Sequence, residues 1–116
     1  MKKLLLLTTY CLLLTAYCFA QAPQKINYQG VARDNAGVEL VSQAIGLKIS
    51  IRQSAPNGTV VYSETHATTT NQFGLFTLKI GLGNPTLGSF PNINWATGNK
   101  YLLVEYDPNG GTNFLN

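Results

Sequence analysis

From residue 26 onward, hydrophobic and polar positions alternate with period two. The clearest run is "AIGLKISIRQ", residues 44–53, where Ile45, Leu47, Ile49 and Ile51 fall on one face and Gly46, Lys48, Ser50 and Arg52 on the other. Successive side chains of an extended chain point to opposite faces, so this pattern predicts a half-buried antiparallel strand. "LFTLKIG" repeats it, with Phe76, Leu78 and Ile80 inward and Thr77 and Lys79 outward. "INYQGVA" and "VVYSETHATT" are further strands, the second rich in the β-branched and aromatic residues that suit a pleated surface. "YLLVEY" is apolar on both faces, Leu102, Val104 and Tyr106 against Tyr101 and Leu103, which predicts a more central strand. No segment carries the 3.6-residue period of an amphipathic helix.

Turn chemistry separates these runs. Asp34, Asn35 and Gly37 mark the first connection, Pro56 to Gly58 the second, Asn71 and Gly74 the third, and Pro108 to Gly111 the last. Short strands punctuated in this way predict an all-β fold, an antiparallel immunoglobulin-like or transthyretin-like β-sandwich. The stretch from Gly81 to Asn99 is long for a connection in a compact domain. Its Phe90, Ile93 and Trp95 are expected to fold back as a lid on an open edge of the core.

The N-terminus follows a different logic. "MKKLLLLTTYCLLLTAYCFA" joins a basic start to an apolar stretch and a small residue, Ala20, before Gln21, the layout of a secretory signal peptide. Thr8, Thr9 and Thr15 interrupt the stretch, which is short of the roughly 20 apolar residues of a membrane span. The expected organisation is a signal peptide over residues 1–20 and a sandwich domain over 21–116, secreted or displayed at the cell surface. Lipid attachment at Cys18 would tether the chain, but Tyr17 stands where a small residue is favoured and Thr15 where leucine is usual.

Removing the leader changes the charge balance. Lys2 and Lys3 are two of the chain's 8 basic residues, so six remain against 5 acidic ones, a net charge of about +1. Such a surface has no electrostatic footprint for nucleic acid. Cys11 and Cys18 both lie in the leader, leaving the mature segment without a disulfide or a thiol nucleophile.

Candidate chemistry is sparse. Gly83 to Gly88 has the G-x-x-x-x-G spacing of a phosphate loop, but Ser89 and Phe90 stand where lysine and a helix start are required, which excludes a nucleotide cradle. Gly81 and Gly83 lack the third glycine of a dinucleotide fingerprint. Glu64 and His66, the sole histidine, share a strand face as an E-x-H pair. Two ligands do not hold a metal, so the expected reading is a solvated face with no metal, no cofactor and no catalytic residue. Lys25, Asn113 and either Glu64 or Glu105 follow the order of an intramolecular Lys-Asn amide bond. Trp95 with Tyr28, Tyr62, Tyr101 and Tyr106 offers aromatic faces for a glycan or protein partner, against the alternative of packing.

Three longer stretches carry a resemblance. "INYQGVARDNAG", "VVYSETHATTTNQFGLFTLKIG" and "INWATGNKYLLVEYDPNGGTNF" resemble, in order and spacing, the N-terminal domain of secreted surface proteins of Bacteroidetes-type bacteria, which are often described as hypothetical, tail-fibre-like or collagen-like. The resemblance implies a module that follows a signal peptide and precedes a stalk, repeats or a fibre-like region, and it brings no catalytic residues. Those proteins usually continue past the stretch matching "DPNGGTNF" into another strand, so the sandwich is expected either to be part of a longer protein or to lack its final strand. The expected function is a non-enzymatic structural or adhesive module. The alternatives are a carbohydrate-binding module built on Trp95, Tyr62, Tyr101 and Tyr106, and a pilin-like subunit completed by a partner's strand.

Overall fold

The computed structural model describes Lys3, Leu6, Thr8, Thr9 and residues 24–115. The expected cleavage site at Ala20 and Gln21, and both cysteines, lie outside the described residues. Six strands follow: β1 (Ile26–Val31), β2 (Ala44–Gln53), β3 (Val60–Thr69), β4 (Leu75–Ile80), β5 (Asn84–Leu87) and β6 (Lys100–Asp107), with a single 3₁₀ turn, Phe90–Asn92, between the last two. All pairings are antiparallel. β1 and β4 form a two-stranded sheet, and the other four strands form a second sheet in the order β5-β3-β2-β6. The fold is an all-β sandwich.

The period-two pattern of β2 determines which face is inside. Ile45, Leu47, Ile49 and Ile51 are buried, and Phe76, Leu78 and Ile80 of β4 meet them from the other sheet. Burying a side chain of this kind contributes about 1.5–3 kcal/mol. The turns form as their residues dictate. The Asp34 carboxylate accepts from the Ala36 and Val38 N–H groups at 2.9 Å, and the Asn71 side-chain oxygen accepts from Phe73 and Leu75 at 2.8 and 3.0 Å. Asp107 does the same for Asn109 and Asn113, which holds its carboxyl below its ordinary pKa.

The long segment after β4 closes one side of the sandwich. It contributes the unanticipated strand β5, which pairs with β3, and then sends Phe90 and Ile93 into the core. Trp95 packs on them half-buried, its ring edge-to-face with Phe90 at 5.8 Å. The lid expected over residues 81–99 is present.

β6 departs from expectation: it is an edge strand among the described residues. Its register with β2 places Leu102, Val104 and Tyr106 opposite Ile51, Ile49 and Leu47, and therefore on the inner face. Yet Leu102 is 45% exposed, and Val104 and Tyr106 are only partly covered. The cause is width. A two-stranded sheet cannot cover a four-stranded one, and β4 packs beside β3 at the opposite side. The second apolar face that made β6 resemble a central strand comes from Tyr101 and Leu103, each half-buried on the outside.

Candidate functional site

The E-x-H pair is not a solvated face. β3 pairs with β2 so that Glu64 lies opposite Ile49 and His66 opposite Leu47, which turns both side chains, with Tyr62, toward the space between the sheets. Glu64 is 0% exposed. Its two oxygens receive four donors. Oε1 accepts from the His66 Nε2 at 2.9 Å and the Gly81 N–H at 2.8 Å; Oε2 accepts from the Tyr62 hydroxyl at 2.7 Å and the Gly83 N–H at 2.9 Å.

Burial by itself raises the pKa of Glu64, but the bonds from His66, Tyr62, Gly81 and Gly83 favour the ionised form, and together they hold it below its ordinary value. The carboxylate then only accepts, which assigns the His66 proton to Nε2. Tyr62 is displaced the other way. Burial, followed by its hydrogen bond to Glu64 and the negative charge there, pushes the phenol well above its ordinary pKa.

The two glycines are required by space. Gly81 has φ of +103°, and a Cβ at Gly83 would lie 2.5 Å from His66 Nε2 and 2.8 Å from the Thr65 carbonyl oxygen. The stretch "IGLGNPTLGS" therefore does cradle an anion with backbone N–H groups, and that anion is the chain's own Glu64. Every lone-pair direction of the carboxylate that a substrate or cation would need is occupied. Among the described residues no group of three or more His, Cys, Asp or Glu side chains is placed to hold a metal ion.

The aromatic residues do not assemble into one platform. Tyr62 is fully buried and meets Phe90 edge-to-face at 5.4 Å, so its ring presents no face to a ligand. Trp95 extends the same stack through Phe90. Tyr101 and Tyr106 sit five positions apart on β6, hence on opposite faces, and the Tyr106 hydroxyl donates to the Arg33 carbonyl at 2.9 Å. Of the two acids named for a Lys25–Asn113 amide bond, Glu64 or Glu105, Glu64 takes its four donors from other groups, and the backbone N–H of Asn113 donates to Asp107 at 3.0 Å.

An apolar flank is accessible between β1 and β6. A groove of about 400 Å³ opens there, lined by Tyr28 and Phe76 from one sheet and by Leu47, Val104 and Tyr106 from the other. A smaller hollow of about 120 Å³ continues it along the same strands, between Ile26, Tyr28, Ile51, Trp95 and Leu102. Sequence reading missed this flank because it took β6 for an interior strand. The available signal was the turn at Asp107 to Gly111, which brings the chain back beside β6 at Leu115.

None of the curated proteins and none of the solved structures matches the chain. The family described as a domain of unknown function, DUF8740, matches residues 27–115. That span runs from β1 through the Leu115 bridge and takes in the Glu64 cluster and the open flank, so the chain belongs to the DUF8740 family.

Proposed function

We propose that this chain is an exported, non-enzymatic module with a structural or adhesive role in a secreted or cell-surface protein, and that it works through surface contact. One observation carries the reading: the single acid-histidine pair is sealed at 0% exposure of Glu64 and its hydrogen-bonding capacity is filled, while an apolar flank lies open between β1 and β6. A buried, saturated carboxylate positions backbone; it does not turn over a substrate. The leader "MKKLLLLTTYCLLLTAYCFA" and the resemblance to Bacteroidetes-type surface proteins supply the export part of the reading. The carbohydrate-binding alternative is weaker, because Tyr62 is inaccessible and Trp95 is engaged with Phe90.

The test is expression of the whole chain in a bacterial host, followed by fractionation and mass spectrometry of the N-terminus. The expected product begins at Gln21 and lies outside the cytoplasm. Uncleaved chain retained in the cytoplasm refutes the reading.

A further inference from the structure

We propose that the hollow at the Gln53 and Lys100 end of the sandwich binds a sugar residue that carries a carboxylate, with Lys100 on the carboxylate and the amides of Gln53, Asn92 and Asn94 on the hydroxyls. The proposal rests on the adhesive reading above, names the class of ligand, and uses neither Trp95 nor the tyrosines.

The backbone shapes the site. Gly88, with φ of +73°, lies so close to β3 that a Cβ there would stand 2.6 Å from the Val61 carbonyl oxygen. The 3₁₀ turn Phe90–Asn92 then fixes the segment by burying Phe90 and, just after the turn, Ile93. Asn92 and Asn94 flank Ile93 and stay exposed. The result is a hollow of about 520 Å³, lined by the two asparagines, Ser89, Gln53 and Lys100, with Val61 and Ile93 as its apolar wall. That volume falls within the roughly 300–1,000 Å³ of small-molecule sites. The lining comes from β2, β3 and the segment after β5, and only Lys100 belongs to β6.

Charge supplies the second argument. β6 runs from Lys100, opposite Gln53, to Asp107, opposite Gly46, which defines two ends of the sheet. Arg52 lies at the Lys100 end, and so does Lys25, because its neighbour Ile26 lines the same hollow as Lys100. Asp107 marks the other end, where Arg33 sits beside Ile45 and Tyr106 and leads into Asp34 and Glu39. Glu105 is five residues from Lys100 along β6, about 17 Å, beyond the screening length of about 8 Å at physiological salt. Glu64 is enclosed by its own four donors. Among the described residues the ion pairs are Arg33 with Glu39 and His66 with Glu64, so Lys25, Arg52 and Lys100 are paired with no acid. The sequence before Asp34 contains no acidic residue that could neutralise them. Uncompensated positive charge around the hollow favours an anion.

The polar groups select which anion. Lys100 Nζ donates to the Thr97 carbonyl at 2.5 Å and keeps two further N–H donors. The Asn94 side-chain oxygen accepts from the Ala96 N–H at 3.2 Å, which leaves its NH₂ group. The side chains of Gln53, Ser89 and Asn92 form no hydrogen bond among the described residues. The hollow therefore offers acceptors as well as donors. A sulfate or phosphodiester only accepts and would leave the Gln53 and Asn92 carbonyls unmatched, whereas a hydroxyl both donates and accepts. An extended acidic peptide finds no strand edge to pair with, because Gly88 packs over β3 at Val61. A polyhydroxylated ring with one carboxylate satisfies both the amides and Lys100.

The experiment titrates the purified, isotope-labelled chain with trigalacturonate at constant ionic strength and follows the Lys100 amide and the side-chain NH₂ resonances of Gln53, Asn92 and Asn94 by NMR. Saturable shifts centred on these groups are expected, with a Kd of about 1 mM or below. Lys100→Met should weaken binding about tenfold or more, and Asn92→Ala should also weaken it. Lys48→Met, which removes a lysine from the middle of the outer face, should leave it unchanged. Thermal unfolding of each variant, matched to wild type, separates loss of the site from loss of the fold. Binding that is indifferent to both Lys100→Met and Asn92→Ala overturns the proposal, as does the absence of saturable shifts at millimolar trigalacturonate. Equal binding of the methyl-esterified trisaccharide assigns a neutral-sugar site, and equal binding of triglutamate assigns charge attraction alone; each overturns it too. Export is read separately by fractionation, so an exported chain that ignores trigalacturonate refutes this site alone.

Discussion

Replacing Glu64 by glutamine is the sharpest test of the core. The side chain keeps its size and shape, so no cavity opens, but its acceptor capacity changes. In wild type, four donors converge on two carboxylate oxygens at 2.7 to 2.9 Å. A glutamine amide offers one oxygen and places an NH₂ where the other oxygen stood, so two of the four donors face another donor. Hydrogen bonds to a charged group contribute about 1.5–3 kcal/mol each, and breaking a buried charged network by removing one partner costs about 3–5 kcal/mol. Domains of this size have total stabilities of about 5–15 kcal/mol, so Glu64→Gln is expected to remove a large fraction of it. At roughly 4–8 °C per kcal/mol, the melting temperature should fall by about 12 °C or more. Urea unfolding followed by the fluorescence of Trp95, the single tryptophan, measures the loss. Glu105→Gln is the control, because Glu105 lies on the outer face of β6 and should change stability by less than about 0.5 kcal/mol. A loss below about 1 kcal/mol for Glu64→Gln would refute the view that this carboxylate organises the core.

Further outcomes follow from the same geometry. Because the folded pKa of Glu64 lies below its unfolded value near 4.3, the unfolded chain binds more protons in that range, and stability should fall as pH drops from about 5 toward 3. Denaturation at several pH values should show this slope, shallower in Glu64→Gln than in wild type; Asp107, also held low, contributes to what remains. Tyr62→Phe removes one donor to Glu64 and is expected to cost about 1–3 kcal/mol in a urea titration. Gly83→Ala places a methyl group 2.5 Å from His66 Nε2 and should destabilise by about 1–3 kcal/mol in thermal unfolding, with the His66 ring resonances displaced in the NMR spectrum.

The alternation at Ile45 to Ile51 and at Phe76 to Ile80 was sufficient to read two strands and their buried faces, because one side of each is uniformly apolar. β3 did not yield in the same way. Tyr62, Glu64 and His66 on one side and Val61, Ser63 and Thr65 on the other are both mixed, so hydropathy does not say which side is inside. The register with β2 decides it, and register is a tertiary property. The Gly81 and Gly83 N–H groups lie 17 and 19 residues beyond Glu64, and nothing local to either segment announces that they meet. β5 was hidden for a related reason: "NPTL" is exposed throughout and contains a proline, which is tolerated because the strand lies at the sheet edge. At β6 the pattern predicts a more central strand, whereas among the described residues it pairs with β2 on one side and only with Leu115 on the other, because apolar residues on two faces reflect half-covered surfaces as well as an interior position.

The strand order β5-β3-β2-β6 also sets the order of events in folding. β2 and β3 are separated by six residues and form a local hairpin with a small loop-closure cost, whereas the other side of β2 waits for β6, whose first residue comes 47 positions after the end of β2. As a chain emerges from its N-terminus, the hairpin is therefore complete while the Ile45 to Ile51 strand still lacks a neighbour on one side. The interval is closed only when residues 100–107 arrive, and until then the longest apolar strand of the domain is the segment most open to mispairing with another nascent chain.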